Sequence, residues 1–216
     1  DQPAAAGTER PGALRGLIHQ AAAVHIKQLH CRVPVPRHHA AVILPGLRPG
    51  GNIRKILRKA RQALLPPAKG HRLLARDIFD PLWPDAVEAP GQRGVLLLAA
   101  GVFHYQPTDL MGALLPFLSG RFPGGTLFFD AVSSLGMRIS NRYVARSGNR
   151  NAPMTFCIDK VPALASLSPR FAAVSETPFF HGLPLSGLTL STRVNIAIVQ
   201  LFGMLKYVTI RFREFL

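Results

Sequence analysis

"GVLLLAAGVFHYQPTDLMGALLPFLSGRFPGGTLFFDAVS", residues 94–133, decides the fold. Val95 to Gly101 carry no polar side chain, which predicts a strand buried on both faces, as parallel strands between helices are. The run then changes character at His104 and Tyr105. Asp109 to Leu118 is predicted helical, with Thr108 as its N-cap. "GRFPGG" reads as a turn, and "TLFFDAVS" as a second strand. Strand, helix, turn and strand make a βαβ unit with a right-handed crossover.

Working outward, "HRLLARDIFDP" predicts a short strand over Arg72 to Ala75 that ends in Asp77 and Asp80. "FAAVSETPFF" is another strand candidate. "STRVNIAIVQLFGML" reads as a helix capped by Ser191 or Thr192, and "KYVTIRFREF" alternates as a terminal strand. Upstream, Ala41 to Leu44 is a short apolar run, followed by a loop holding Gly46, Gly50 and Gly51. Ile53, Ile56, Leu57, Ala60, Leu64 and Leu65 fall at helical spacing until Pro66 and Pro67 stop them. A weaker helical pattern covers Ala13–Leu29. The expected fold is α/β, without an internal repeat.

Nearly half of the 216 residues are hydrophobic, enough for a substantial core. The net charge of +15 suggests nucleic acid until it is divided along the chain. Residues 1–76 carry 14 Lys/Arg against 2 Asp/Glu, while residues 77–216 carry 12 against 9. The basic part holds no interleaved aromatics and no recognisable reading helix, so nucleic-acid binding is the third-ranked reading. Cys31 and Cys157 form neither a metal-type pair nor a disulfide framework, which fits a reducing compartment. No apolar stretch reaches the roughly 18 residues of a membrane span. The opening residues lack the pattern of a signal peptide. A soluble cytoplasmic protein is expected, with no metal and no membrane partner.

Three separated blocks carry a resemblance: "LLPPAKGHRLLARDIFDPLWPDAV", "VLLLAAGVFHY" and "FLSGRFPGGTLFFDAVSSLGMRISN". Together with the tail "ETPFFHGLPLSGLTLSTRVNIAIVQLFGMLKYVTIRFR", they resemble the leucine carboxyl methyltransferase family. The similarity is to its bacterial branch with tetracenomycin-type polyketide O-methyltransferases, and it covers roughly Leu64 to Leu216. It implies a class I methyltransferase fold, a mainly parallel sheet with an antiparallel last strand. It also implies S-adenosylmethionine as methyl donor and a small-molecule oxygen or carboxylate as acceptor.

The resemblance assigns site residues at strand ends, where open α/β sheets bind ligands. Asp77 would accept a hydrogen bond from the adenine amino group, and Ile78 would line the ring. Ala100, Gly101 and Phe103 would border the methionine part of the cofactor. Ala100 stands where the family often has an acid, and Gly101 would permit close backbone approach. His104 and Tyr105 would face the acceptor as catalytic residues, His104 as base for a phenol. Capping of the strand by His104 and packing of Tyr105 under the next helix is the alternative. Asp130 would shape the acceptor side or hold a loop through backbone amides. Met154, Phe156 and Asp159 are candidate pocket or lid residues, and Trp83 a packing residue.

The front third departs from the family. "AAVILPGLRPGGNIRK" stands where a G-x-G-x-D-(T/S)-R loop belongs, and no acidic residue occurs between Glu9 and Asp77. The family's ribose-binding carboxylate therefore has no counterpart there, and the first βαβ unit is truncated or degenerate. The chain accordingly divides into a basic, poorly structured or aberrant segment, 1–62, and a methyltransferase-like domain, 63–216. Either the cofactor site has diverged, or the front third is out of the ancestral reading frame; its acid-poor composition favours the latter. The leading function is methyl transfer, and the alternative is a remnant that has lost cofactor binding.

Overall fold

A computed structural model describes residues 40–43, 71–74, 76–87, 94–146 and 153–214. The helical patterns at 13–29 and 53–65 and the glycine loop at 46–51 lie outside these residues.

The described residues form two sheets. β1 (Ala40–Ile43) pairs in parallel with β2 (His71–Leu74), in register from Ala40 opposite His71 to Ile43 opposite Leu74. The second sheet contains β3 (Leu96–Ala99), β4 (Thr126–Val132), β5 (Phe171–Pro178) and β6 (Leu205–Phe212), in the order β3-β4-β6-β5. β3 and β4 run parallel, whereas β6 runs antiparallel to both β4 and β5. Three α-helices complete the described chain: α1 (Thr108–Arg121), α2 (Ser134–Arg146) and α3 (Leu190–Leu201). The expected βαβ unit is thus β3-α1-β4, and the antiparallel last strand is β6.

β4 lies between β3 and β6, and its side chains alternate between two apolar layers. Leu127, Phe129 and Ala131 pack with Met111, Leu114, Leu115 and Leu118 of α1 and with Val208 and Ile210 of β6. Phe128 faces the other layer, with Tyr207, Phe179, Phe180 and Ile196 of α3. The Tyr207 ring stacks on Phe179 at 4.5 Å and on Phe128 at 5.0 Å. Six consecutive residues of β4, Leu127 to Val132, are buried, as expected for a strand covered on both faces.

Three local expectations need correction. β3 is not buried on both faces: among the described residues it is an outer strand of its sheet, and Leu98 is 47% exposed. Thr108 is the first residue of α1, not its cap; Pro107 holds the cap position in extended backbone, and the Thr108 hydroxyl donates to the Thr155 carbonyl. The cap of α3 is Thr189, whose side chain accepts from Thr192 N at 3.3 Å. A preceding threonine that can reach the third amide satisfies an orphan donor better than Ser191 or Thr192 inside the turn.

The turn between α1 and β4 follows its sequence. Gly124 adopts φ +70°, and a Cβ on Gly94 would lie 2.6 Å from the Gly124 carbonyl oxygen. Glycine at both positions lets the β3 entry and the α1-β4 turn approach closely. Trp83 packs as expected, 1% exposed, with its indole N–H donating to the Ile78 carbonyl at 2.8 Å.

Candidate functional site

A cavity of about 460 Å³ opens between the segment after β2 and the segment after β3. Asp77 and Phe79 line one side; Tyr105, Gln106, Pro107, Asp109 and Leu110 line the other. Its size falls in the range of small-molecule sites. It sits where the backbone leaves the carboxyl ends of two strands, the usual ligand position in α/β sheets.

Asp77 is held by the turn it starts. Its Oδ1 accepts from Phe79 N at 3.1 Å, and its carbonyl accepts from Asp80 N at 3.1 Å. This Asx-type turn explains why an acid, and not an apolar residue, ends the strand segment. Asp109 lies in the first turn of α1, where a carboxylate complements the helix dipole.

After β3 the chain turns at Gly101, whose φ of +67° suits glycine. A 3-10 turn over Phe103–Tyr105 then divides the residues between core and cavity. Phe103 is 1% exposed and packs on Phe129 with ring centroids 5.1 Å apart. His104 is buried, whereas Tyr105 is 46% exposed and faces the cavity. His104 Nε2 lies 3.0 Å from Asp130 Oδ2. The other carboxylate oxygen of Asp130 accepts from Gly101 N at 2.7 Å. Asp130 therefore holds a loop through a backbone amide, one of the two roles the sequence suggests for it.

Residues 153–158 close on this loop. The His104 carbonyl accepts from Thr155 N at 2.7 Å and from Phe156 N at 3.1 Å. The Thr155 hydroxyl donates to the Gln106 carbonyl at 2.8 Å.

Of the residues singled out in the sequence, the structure brings Asp77 and Tyr105 to one cavity. Ala100 and Gly101 form the exposed bend at the end of β3. Ile78 and Phe103 are turned into the core. Phe156 is likewise a core residue, and Met154 is half-buried. Asp159 is exposed and caps α2, accepting from Ser134 N at 2.8 Å. That hydrogen bond, with lesser help from Lys206 and Arg138, holds its carboxyl below the usual range.

Phe79, Gln106, Pro107, Asp109 and Leu110 were not singled out in the sequence. Phe79 carries a signal in hindsight, sitting two residues beyond Asp77 in "DIFD". Asp109 looks like any acid in a first helical turn.

Among the described residues, no group of three His, Cys, Asp or Glu is placed to hold a metal ion. None of their helices is long and apolar enough to cross a membrane.

No protein-family profile matches the chain, and no curated protein matches it. Solved structures do. A candidate methyltransferase from Thermobifida fusca YX superposes with a TM-score of 0.52 at 13% identity, covering 81% of this chain and 64% of that one. The chain has a methyltransferase fold. A DUF574 family protein from Streptomyces avermitilis MA-4680 superposes with a TM-score of 0.55 at 17% identity, covering 91% of this chain and 81% of that one. The chain thus spans less than two thirds of the Thermobifida protein. On the methyltransferase fold, function is decided by the residues at the strand ends, not by the fold itself.

Proposed function

We propose that the chain is an S-adenosylmethionine-dependent methyltransferase acting on a small-molecule oxygen or carboxylate, related to the tetracenomycin-type O-methyltransferases. The observation that carries the reading is the meeting of Asp77 and Tyr105 in one cavity at the strand ends of a methyltransferase fold.

The cavity's donor set suits this cofactor. A purine needs flat walls and an acceptor for its amino group; Phe79 and Tyr105 supply rings, and Asp77 a carboxylate. Asp77 and Asp109 also place negative charge on a cavity that would admit a cation. When bound, S-adenosylmethionine supplies a methyl group made electrophilic by its sulfonium.

The chain's own contribution is positioning. Methyl transfer is an in-line displacement, so holding donor and acceptor in line supplies most of the acceleration. Asp77 would fix the adenine end. Tyr105 and Gln106 would form the wall of the cavity, and the bend at Ala100 and Gly101 would border the amino-acid end. A carboxylate acceptor needs no base, whereas a phenol needs its proton removed. Residues 63–216 would form the catalytic domain, and the basic segment 1–62 would contribute little to the cofactor site.

Calorimetric titration with S-adenosylhomocysteine tests the reading. Saturable binding that is lost in Asp77→Ala is the expected result. Absence of heat at millimolar ligand rejects it and leaves the non-binding remnant.

A further inference from the structure

The carboxylate of Asp130 spans two points of the loop between β3 and α1. Oδ1 accepts from Gly101 N at 2.7 Å, and Oδ2 faces His104 Nε2 at 3.0 Å. Both residues are buried, His104 at 4% and Asp130 at 8% exposure. The second imidazole nitrogen, Nδ1, is buried and has no hydrogen-bond partner among the described residues.

Of the two neutral tautomers of His104, these facts select one. With the proton on Nε2, His104 donates to the carboxylate, and Nδ1 is left as an unmatched acceptor. With the proton on Nδ1, a lone pair would face the carboxylate and a buried donor would be orphaned. Orphaned buried donors are the rarer and costlier case. The proton therefore belongs on Nε2.

The loop is fixed beyond His104 as well. Its carbonyl receives Thr155 N and Phe156 N, and the Thr155 hydroxyl holds the Gln106 carbonyl. Tyr105, the exposed aromatic of the cavity, sits between these two anchored residues.

We propose that Asp130 is a positioning residue for the cavity. One of its oxygens sets the bend at Gly101, the other sets the tautomer and placement of His104, and the loop delivers Tyr105 and Gln106 to the cavity wall. His104 is then a strut and not the base that meets the acceptor. This rests on the proposed cofactor site only for what Tyr105 and Gln106 are positioned to touch.

The test uses 15N-labelled protein at mildly alkaline pH, with long-range imidazole spectra reporting the tautomer. The wild type should show protonated Nε2 and bare Nδ1. In Asp130→Asn, Gly101 N–H keeps the amide oxygen on its side, so the amide NH₂ faces Nε2. The proton should then move to Nδ1, and the Tyr105 ring signals should shift. In Asp130→Ala, exchange of the Gly101 amide should quicken at least tenfold.

An Nδ1-protonated wild type, an unchanged tautomer in Asp130→Asn, or unmoved Tyr105 signals would overturn the proposal. Unchanged Gly101 exchange in Asp130→Ala would do the same. Should Asp130→Ala not fold, the near-isosteric Asn variant decides through tautomer and ring signals, which a purely structural role would leave alone. The same proteins titrated with S-adenosylhomocysteine separate the two readings. Tautomer reversal without ligand binding by the wild type keeps the positioning role and removes the cofactor assignment.

Discussion

Asn141 of α2 grips Met154 by both of its backbone groups: Nδ2 donates to the Met154 carbonyl at 2.9 Å, and Oδ1 accepts from Met154 N at 2.8 Å. Met154 precedes Thr155, which is bonded to His104 and Gln106. A helix on one side of the fold is thereby tied to the loop that lines the cavity. Asn141→Ala breaks both bonds in a half-buried place and should cost about 1–3 kcal/mol. Asn141→Asp keeps an acceptor but sets an oxygen against the Met154 carbonyl, so it should be no better. Urea denaturation measures both, and midpoints equal to that of the wild type would remove Asn141 from this role.

Gly136 lies in the first turn of α2 against Met204. A Cβ there would strike the Met204 carbonyl oxygen and backbone, which cannot swing aside as a side chain tip can. That carbonyl also accepts from Ser133 N at 3.0 Å. Gly136→Ala should therefore destabilise the fold by about 1–3 kcal/mol, although alanine has the higher helix propensity. A rise in the thermal midpoint of this variant would show that the contact yields.

Cys157 is half-buried in the segment that closes on the cavity loop. Burial, with a smaller effect of the nearby Asp159 carboxylate, pushes its thiol above the ordinary range. The thiolate is the reactive form, so alkylation at neutral pH should be slower than for a free cysteine. Asp159→Asn removes only the lesser cause and should accelerate it slightly. The comparison is made by iodoacetamide labelling followed by mass spectrometry on the Cys157 peptide. Labelling as fast as in the denatured chain would contradict the burial.

The elements of the sheet were legible because apolar runs and turn residues report them directly. Val95 to Gly101, Pro123-Gly124-Gly125 and Leu127 to Phe129 each carry a local reason for their structure. The side of the strand that Asp130 occupies follows from alternation, but its partners do not. Gly101 and His104 are 29 and 26 residues away, and only the folded loop brings them to one carboxylate. The cap of α3 lies two to three residues before the hydroxyls expected for it because several neighbouring hydroxyls compete. The Thr189 hydroxyl bonds those of both Ser191 and Thr192, so composition alone cannot rank the three. The cavity was half legible: Asp77 and Tyr105 came from the resemblance, while Asp109 and Gln106 enter it only through the shape of the turn before α1.

Tyr207 is buried at 2% exposure, opposite Asp130 in the β4-β6 ladder. Burial first, and the Asp130 carboxylate second, push its phenol well above the ordinary tyrosine range. The folded chain therefore keeps a proton that the unfolded chain releases near pH 10, to an approximation. Above that pH the unfolded state binds fewer protons, so stability falls as pH rises. The contribution is complete below the unfolded value and declines through the alkaline range. Tyr207→Phe should flatten this decline, as seen in urea midpoints measured at rising pH. Parallel pH profiles for the two proteins would show that Tyr207 ionises as freely when folded.

Asp77 and Tyr105 face one cavity from different strand ends, so in the proposed site each should support the adenine by a different interaction, a hydrogen bond and a ring face. Tyr105→Ala removes an aromatic face, and base–aromatic stacking is worth about 1–3 kcal/mol, or roughly 5- to 150-fold in affinity. Tyr105→Phe keeps the face and should bind S-adenosylhomocysteine almost as well as the wild type. Asp77→Asn retains an oxygen for Phe79 N but replaces a charged acceptor by a neutral one, and hydrogen bonds to charged groups are worth about 1.5–3 kcal/mol. Its loss should fall on adenosine-containing ligands and spare methionine alone if, as proposed, the carboxylate meets the adenine end. Calorimetry with S-adenosylhomocysteine, adenosine and methionine on the three variants separates these effects. Equal weakening of adenosine and methionine by Asp77→Asn would mean that the turn, and not the carboxylate, is what the site requires.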